Sequence, residues 1–440
     1  MLAQGEDYAL QRVPLDDRRS LFDVCQVALA IPTALVFLAT GGALWAAFGT
    51  GPLLVGIICA GVTIGYAGVV LSSFACRTGL DSDLISIWAG YGSRGSALAS
   101  FIYSGNFIVL FALEDGIVEN AVHARFPGIP GSVVLVAFAI VVIALTWYGV
   151  SRLSRLMKAT LPLFIGLFVW IVIAALGKAP SHPFWSFHFF ASSGDTPAFL
   201  SVFAALLAFV ANATVGADLG RFMKLKDRSR GSLLLGVGLQ ILCFGGVVIL
   251  GAWLTYRLRG DTNPGGYLVN LAGLGGLLLV LVSQSRINAI NAYSGSLSLS
   301  NFAKRSVGFQ PGRHVWTIVL AAVATGLALA NLYGQLVHVL TFEAVFVAAW
   351  GATLVAHVVA ASPQQRRAAS ELPFTELNED LRSIPALLIA LACSVPLAFG
   401  AAGSLGKVVA PLVAIVVASA IVIGYSRFAE VRQRRVALPR

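Results

Sequence analysis

The chain has 440 residues, of which 58% are hydrophobic and 11% charged. A soluble domain carries roughly 25% charged residues, so this composition excludes a water-soluble globular protein and suits one whose surface faces lipid. The net charge of +10 does not mark a nucleic-acid binder. Lys and Arg fall in short clusters between apolar runs, which is the pattern that orients a membrane protein.

Each crossing needs ~20 mostly apolar residues to span ~30 Å of hydrocarbon. The apolar runs predict an all-α protein of about twelve membrane-spanning helices, near 21–48, 51–76, 95–122, 131–150, 156–177, 197–220, 231–256, 269–300, 315–330, 334–358, 383–400 and 406–426. The first twenty residues are polar and the first apolar run is longer than a signal h-region, so no cleavable signal peptide is expected. Most basic residues then lie on one side: Arg12, Arg18 and Arg19; Arg77 and Arg94; Arg152, Arg155 and Lys158; Arg221 to Arg230; Lys304, Arg305 and Arg313; Arg366, Arg367 and Arg382; and the Arg residues after position 426. The other side holds Arg125, Lys178, Arg257, Arg259 and Lys407. This asymmetry predicts that both termini are cytoplasmic; the expected location is a bacterial-type inner membrane. Three parts are expected: a ten-helix core over 1–360, a cytoplasmic loop over 361–382, and two added helices with a basic tail over 383–440. Five cysteines (Cys25, Cys59, Cys76, Cys243, Cys393) lie in or beside apolar runs and read as free thiols.

Two helices are interrupted. The first contains Ala30-Ile31-Pro32-Thr33-Ala34, and the sixth contains Ala211-Asn212-Ala213-Thr214-Val215-Gly216 followed by Asp218 and Arg221. Five spans apart, they hold corresponding places in two five-helix halves. Breaks at matched positions expose backbone dipoles at mid-membrane, where many transporters build a binding site.

Thr40-Gly41-Gly42, Arg77-Thr78-Gly79-Leu80, Tyr91-Gly92-Ser93-Arg94-Gly95-Ser96, Ala217-Asp218-Leu219-Gly220-Arg221-Phe222 and Asn288-Ala289-Ile290-Asn291-Ala292-Tyr293-Ser294 resemble, in order and spacing, the bacterial cytosine permeases of the nucleobase:cation symporter-1 family. The resemblance implies a LeuT-type fold, with ten core helices in two inverted repeats and two more after them. It implies a substrate site between helices one, three, six and eight, and in many members a sodium site between helices one and eight. The stacking aromatic of helix three falls at Leu110, with Phe111 beside it, and the amide position four residues on is Glu114. The stacking aromatic of helix six falls at Phe209, with Asn212 one turn away. The paired hydroxyl ligands of sodium fall at Arg286 and Ile287, and the Pro- and Gly-rich stretch of helix ten is Ala349-Trp350-Gly351, with His357 later.

Glu114, Asp115 and Glu119 in helix three, Arg286 in helix eight and Glu343 in helix ten are ionisable groups inside apolar runs. Each costs at least ~2.5–3.5 kcal/mol near the bilayer centre unless paired or hydrated. Arg286 is too deep to snorkel and cannot lose its proton. Two readings are open for it: it replaces sodium against the carbonyls around Ala30 and Thr33, or it pairs with Glu114. Glu114 suits a cationic or donor-rich substrate, or a proton-coupling role. Asn288 and Asn291 share a helix face, fit either to contact a heterocycle or to join helices. Asp218 is expected to pair with Arg221. No spacing of the histidines (His123, His182, His188, His314, His338, His357) resembles a metal site, and no nucleophile–base set appears.

The expected function is therefore secondary transport, not enzymatic, of a small nitrogenous solute: a nucleobase, a related heterocycle or a cationic compound. It is expected to be sodium-independent, by proton coupling or exchange, with no cofactor and with the chain acting as a monomer in the bilayer. Substrate contact is expected from Thr33, Phe111, Glu114, Phe209, Asn212, Asn288 and Asn291, and ion coupling from Ala30, Arg286 and Glu114. The alternative is a transporter-derived sensor that binds solute without moving it.

Overall fold

Apolar runs bounded by glycines, prolines and charges produce twelve helical spans among the described residues, two of them broken. The structure, a computed structural model, describes residues 8, 11–147, 150–180, 183–187, 196–258, 260–309, 311–371 and 381–436, with the backbone alone over 150–154 and 429–436. Arg152, His182, His188, Arg259 and the side chains of the basic tail beyond Phe428 lie outside that description.

The first span is broken into α1a (Leu21–Ala28) and α1b (Leu35–Phe48). Then come α2 (Thr50–Thr78), α3 (Gly92–Arg125), α4 (Gly131–Trp147) and α5 (Val150–Leu176). The sixth span joins α6a (Ala198–Leu206) to α6b (Ala211–Gly220), and α7 runs from Arg228 to Arg257 with two π-helical stretches, Leu234–Gly238 and Ile241–Val248. The remaining spans are α8 (Leu274–Val307), α9 (Arg313–Leu329), α10 (Leu336–Ala360), α11 (Ser383–Ala398) and α12 (Gly403–Val436). Among the described residues seven helices, or eight with the bent first span, are long and apolar enough to cross a membrane. Helices α4, α9 and α11 are apolar but shorter, and α8 is long but carries polar side chains through its middle.

Three boundaries differ from the sequence expectation. The eighth span does not begin at 269, because Pro264–Ala272 forms its own short helix and Gly273, at φ +56°, turns the chain into α8. The 361–382 segment contains a helix, Pro363–Glu371, and its positions 372–380 lie outside the described residues. The interruption of the sixth span falls at Leu207–Val210, one turn before the expected 211–216 stretch, which is regular helix. With no proline at the sixth break, the chain only tightens into 3-10 geometry there.

The first break lies where Pro32 predicts it. Ile31–Thr33 is a 3-10 turn, Ala34 is extended (φ −65°, ψ 125°), and the two halves meet at a 44° bend. Pro32 lacks an N–H and so cannot continue the ladder of α1a. Helices α1b and α7 pack backbone to backbone: a Cβ on Gly41 would lie 1.9 Å from the Val248 oxygen, and one on Gly251 2.2 Å from the Leu38 oxygen. Such small-residue contacts replace the hydrophobic force that lipid removes between helices. Helix α3 packs along α8, with α1b, α6 and α10 completing the surroundings of the site. Between α2 and α3, Ser82–Ser86 and Ile87–Tyr91 form a short helical connection kinked at Ala89 and Gly90.

Candidate functional site

On α3 the pairs 106/110, 107/110 and 110/114 are three or four residues apart, so these positions lie on one side of the helix. That face meets the break in α1, the 3-10 turn of the sixth span and the middle of α8 around a small central cavity. Its lining includes Ile31, Ala34 and Phe37 from the first span, Asn106, Leu110 and Glu114 from α3, Phe209 and Asn212 from the sixth span, and Ile287 and Asn291 from α8. The cavity is about 40 Å³, room for a few waters at most. Part of the reason is that Phe37 and Phe209 pack against each other, with ring centroids 4.6 Å apart and the planes tilted by 34°.

Glu114 is fully buried and accepts hydrogen bonds from the Val36 N–H (3.2 Å) and from Gln284 Nε2 (2.5 Å). Val36 lies in the first turn of α1b, whose amides have no helical partner. The Glu114 side-chain oxygens therefore cap this helix N-terminus. Gln284 was not among the sequence candidates. Its signal, an amide on the buried face of α8 two residues before Arg286, is weak without knowing what it meets.

Arg286 meets neither partner expected of it. Its guanidinium donates to the Met157 carbonyl (2.6 Å) and to Thr160 Oγ1 (2.6 Å), both on α5. The carbonyls around the first break are satisfied without it: Ala30 O accepts from the Thr33 N–H (3.2 Å) and from Thr33 Oγ1 (2.6 Å), and Thr33 O accepts from Ser283 Oγ. Glu114 is held by Val36 and Gln284, so the Arg286–Glu114 pair does not form either.

Of the substrate candidates, Glu114, Phe209, Asn212 and Asn291 line the cavity, whereas Thr33, Phe111 and Asn288 do not. Thr33 is turned onto Ala30. Phe111 is packed in the core. Asn288 joins helices, donating to Asp115 Oδ1 (2.8 Å) and the Phe111 carbonyl (3.3 Å) and accepting from Asn291 Nδ2 (3.0 Å). The cavity also holds a buried donor without a partner, Asn212 Nδ2. Asn106 and Phe107 were not anticipated; Asn106 Nδ2 donates to Glu343 Oε1 of α10.

A second space of about 140 Å³ lies beside the first, toward the end of the molecule bearing Arg18 and Arg221, and shares Ile31, Val215 and Ile290 with it. Asp218 does not pair with Arg221 there. It accepts from the Ser82 N–H (2.8 Å), Ser82 Oγ (2.7 Å) and Tyr103 OH (2.8 Å), while Arg221 forms a buried ion pair with Asp81 (2.9 Å). Asp81 also caps the Ser82–Ser86 helix through the Leu84 N–H (2.8 Å). Arg18, whose pKa is lowered from its ordinary value by burial, donates to the carbonyls of Cys76 and Met223. These contacts tie the N-terminal segment, α2, the Ser82–Ser86 helix and the end of α6b together. Among the described residues no group of three His, Cys, Asp or Glu is arranged to hold a metal ion.

No protein-family model matches the chain, and no curated protein does. Solved structures do. The inward-facing conformation of Mhp1 superposes with a TM-score of 0.72 at 15% identity, covering 95% of this chain and 93% of that one. Mhp1, a nucleobase-cation-symport-1 family transporter, in a closed conformation with bromovinylhydantoin bound, gives 0.70 at 15% identity over 96% and 95%. A substrate-bound, outward-open Na+-coupled sialic acid symporter gives 0.62 at 12% identity over 94% and 90%. The chain thus has, over nearly its whole length, the LeuT-type fold of Mhp1.

Proposed function

We propose that this protein is a secondary transporter for a small, flat, nitrogen-rich solute, held in the central cavity between α1, α3, the sixth span and α8. The observation that carries the reading is that cavity's position and lining. It lies at the two interrupted spans and presents an aromatic pair, the Glu114 carboxylate and the unpartnered Asn212 Nδ2 together. Parting Phe37 from Phe209 makes room for a ring between them, with Asn212 and Asn291 to hydrogen-bond its edge. Glu114 favours solutes rich in N–H donors, because charge-assisted hydrogen bonds are the stronger ones. Alternating access then consists of rocking α1, α2, α6 and α7 against the rest.

Transport is sodium-independent in this reading. The support is that the Ala30 and Thr33 carbonyls already have donors, and that Arg286 and Ile287 stand where the resemblance puts hydroxyl ligands. Counterflow in proteoliposomes with labelled cytosine, adenine, guanidinium and benzamidine tests both parts. Exchange of at least one of them is expected, at equal initial rates in sodium and choline buffers. Binding without exchange indicates a sensor, and a steep sodium dependence sinks the ion assignment.

A further inference from the structure

Glu343 is a buried acid that the transport reading leaves unused. It lies in α10, 7% exposed, and makes no ion pair among the described residues. Asn106 Nδ2 donates to its Oε1, and two buried atoms of this pair then remain without any partner: Glu343 Oε2 and Asn106 Oδ1. Both are acceptors while the acid is ionised. A proton on Oε2 makes it a donor to Oδ1, and acid and primary amide then close a ring of two hydrogen bonds in which every polar atom of the pair is satisfied.

Asn106 also stands at a boundary. It lines the central cavity, and with Glu343 it lines a separate groove of about 520 Å³ between α3, α9 and α10, which includes Gln335 and His338. That groove gives Glu343 an opening that does not pass through the solute cavity. Of the ionisable groups around Glu343, His338 is on its own helix and Tyr333 in the turn before it, while α3 brings Tyr103 and Glu114 on either side of Asn106. The sixth span from Ala198 to Ala217, α1b, α9 from Val315 and α12 from Val408 to Gly424 carry none; α11 carries Cys393, and α2 carries Cys59, Tyr66, Cys76 and Arg77.

We propose that Glu343 is the protein's proton-binding site and that Asn106 carries its protonation state into the central cavity, an inference that rests on the transport reading above. Asn106 Oδ1 serves either the proton on Glu343 or an N–H donor of the solute. The two compete, so a donor-bearing solute displaces the proton: Oε2 releases one H+ to groove water, the acid becomes a carboxylate, and the solute N–H takes over Oδ1. The process is exchange of solute for proton.

Infrared difference spectroscopy of the full chain in liposomes, in H2O and D2O over a pH titration, tests the site with the proton itself as probe. The wild type is expected to show a carboxylic-acid C=O band, shifted by D2O and lost as pH rises, that Glu343→Gln lacks. This substitution closes the same ring with its own amide and so preserves the packing. Asn106→Leu moves that band to higher frequency by removing the donor to Oε1; a band left in place overturns the role of Asn106. Coincident wild-type and Glu343→Gln spectra at every pH overturn the site. In counterflow, apparent solute affinity rises with pH in the wild type and becomes low and pH-independent in Glu343→Gln; a pH dependence that survives this substitution also overturns the proposal. A band that behaves as expected with no exchange by the wild type supports the proton site and counts against the transport reading alone.

Discussion

The first and sixth spans are both interrupted beside the same cavity, yet by different means. The first bends by 44° at a proline, leaving Ala34 extended and the amides of α1b exposed to a new partner. The sixth merely tightens into 3-10 geometry over Leu207–Val210, without a proline and without a comparable bend. The difference decides where polar chemistry must be imported. At the first break Glu114 caps the Val36 amide and Ser283 satisfies the Thr33 carbonyl, so side chains from α3 and α8 are fastened to the backbone of α1. At the sixth, cap bonds within the helix suffice, and Asn212 is left with its Nδ2 free of protein partners. The first half of the pseudo-repeat is fastened to its neighbours, and the second offers the spare donor.

Glu114→Ala strikes hardest at that contrast. It leaves the buried Val36 N–H without its acceptor, at about 1–3 kcal/mol, and Gln284 Nε2 with only the Glu114 backbone carbonyl at 3.3 Å. A marked drop in the thermal unfolding midpoint of the purified protein is expected, with Glu114→Gln milder because its carbonyl still accepts from Val36. An unchanged midpoint for the alanine variant would show that the break does not depend on its cap.

Much of this arrangement was legible in the sequence, and the failures share one cause. The spans follow from apolar runs, and the first break from Pro32, because both signals are local. The resemblance pointed to Glu114, Phe209 and Asn212, and the three-residue spacing with Asn288 to Asn291, all four of which line the cavity. What was not legible is which backbone groups face which side chains. The partners of Arg286 are a carbonyl and a hydroxyl on α5, and carbonyls leave no mark in a sequence. Pairing by opposite charge therefore suggested Glu114 for Arg286 and Arg221 for Asp218, when Gln284, Ser82, Tyr103 and Asp81 supply the contacts. Asn288 had two open readings, and the one that joins helices holds because Asp115 lies across from it.

The glycines separate the two halves again, by a smaller effect. Gly41 in α1b lies against the α7 backbone, where a methyl group would meet the Val248 oxygen at 1.9 Å. Gly41→Ala must push α1b off α7, and overpacking of this kind costs about 1–3 kcal/mol. The expected result is a lower unfolding midpoint, and a neutral outcome would mean that the two helices separate easily.

Gly216 in α6b also faces α7, and there the sign reverses, although Gly220 further along α6b lies close against the α2 backbone at Ser72. A methyl group on it would find the Leu235 oxygen at 3.5 Å and the Leu235 Cβ at 3.9 Å, which is ordinary contact. Nothing must move, and the substitution replaces the residue that loses most backbone freedom in a helix with the best helix former, worth about 0.5–1 kcal/mol. Gly216→Ala is therefore expected to leave the midpoint unchanged or raise it slightly. If it instead destabilises as much as Gly41→Ala, then α6b needs its own close approach to α7 in another conformation. The contrast between a fastened first half and a freer second half would then hold for this state only.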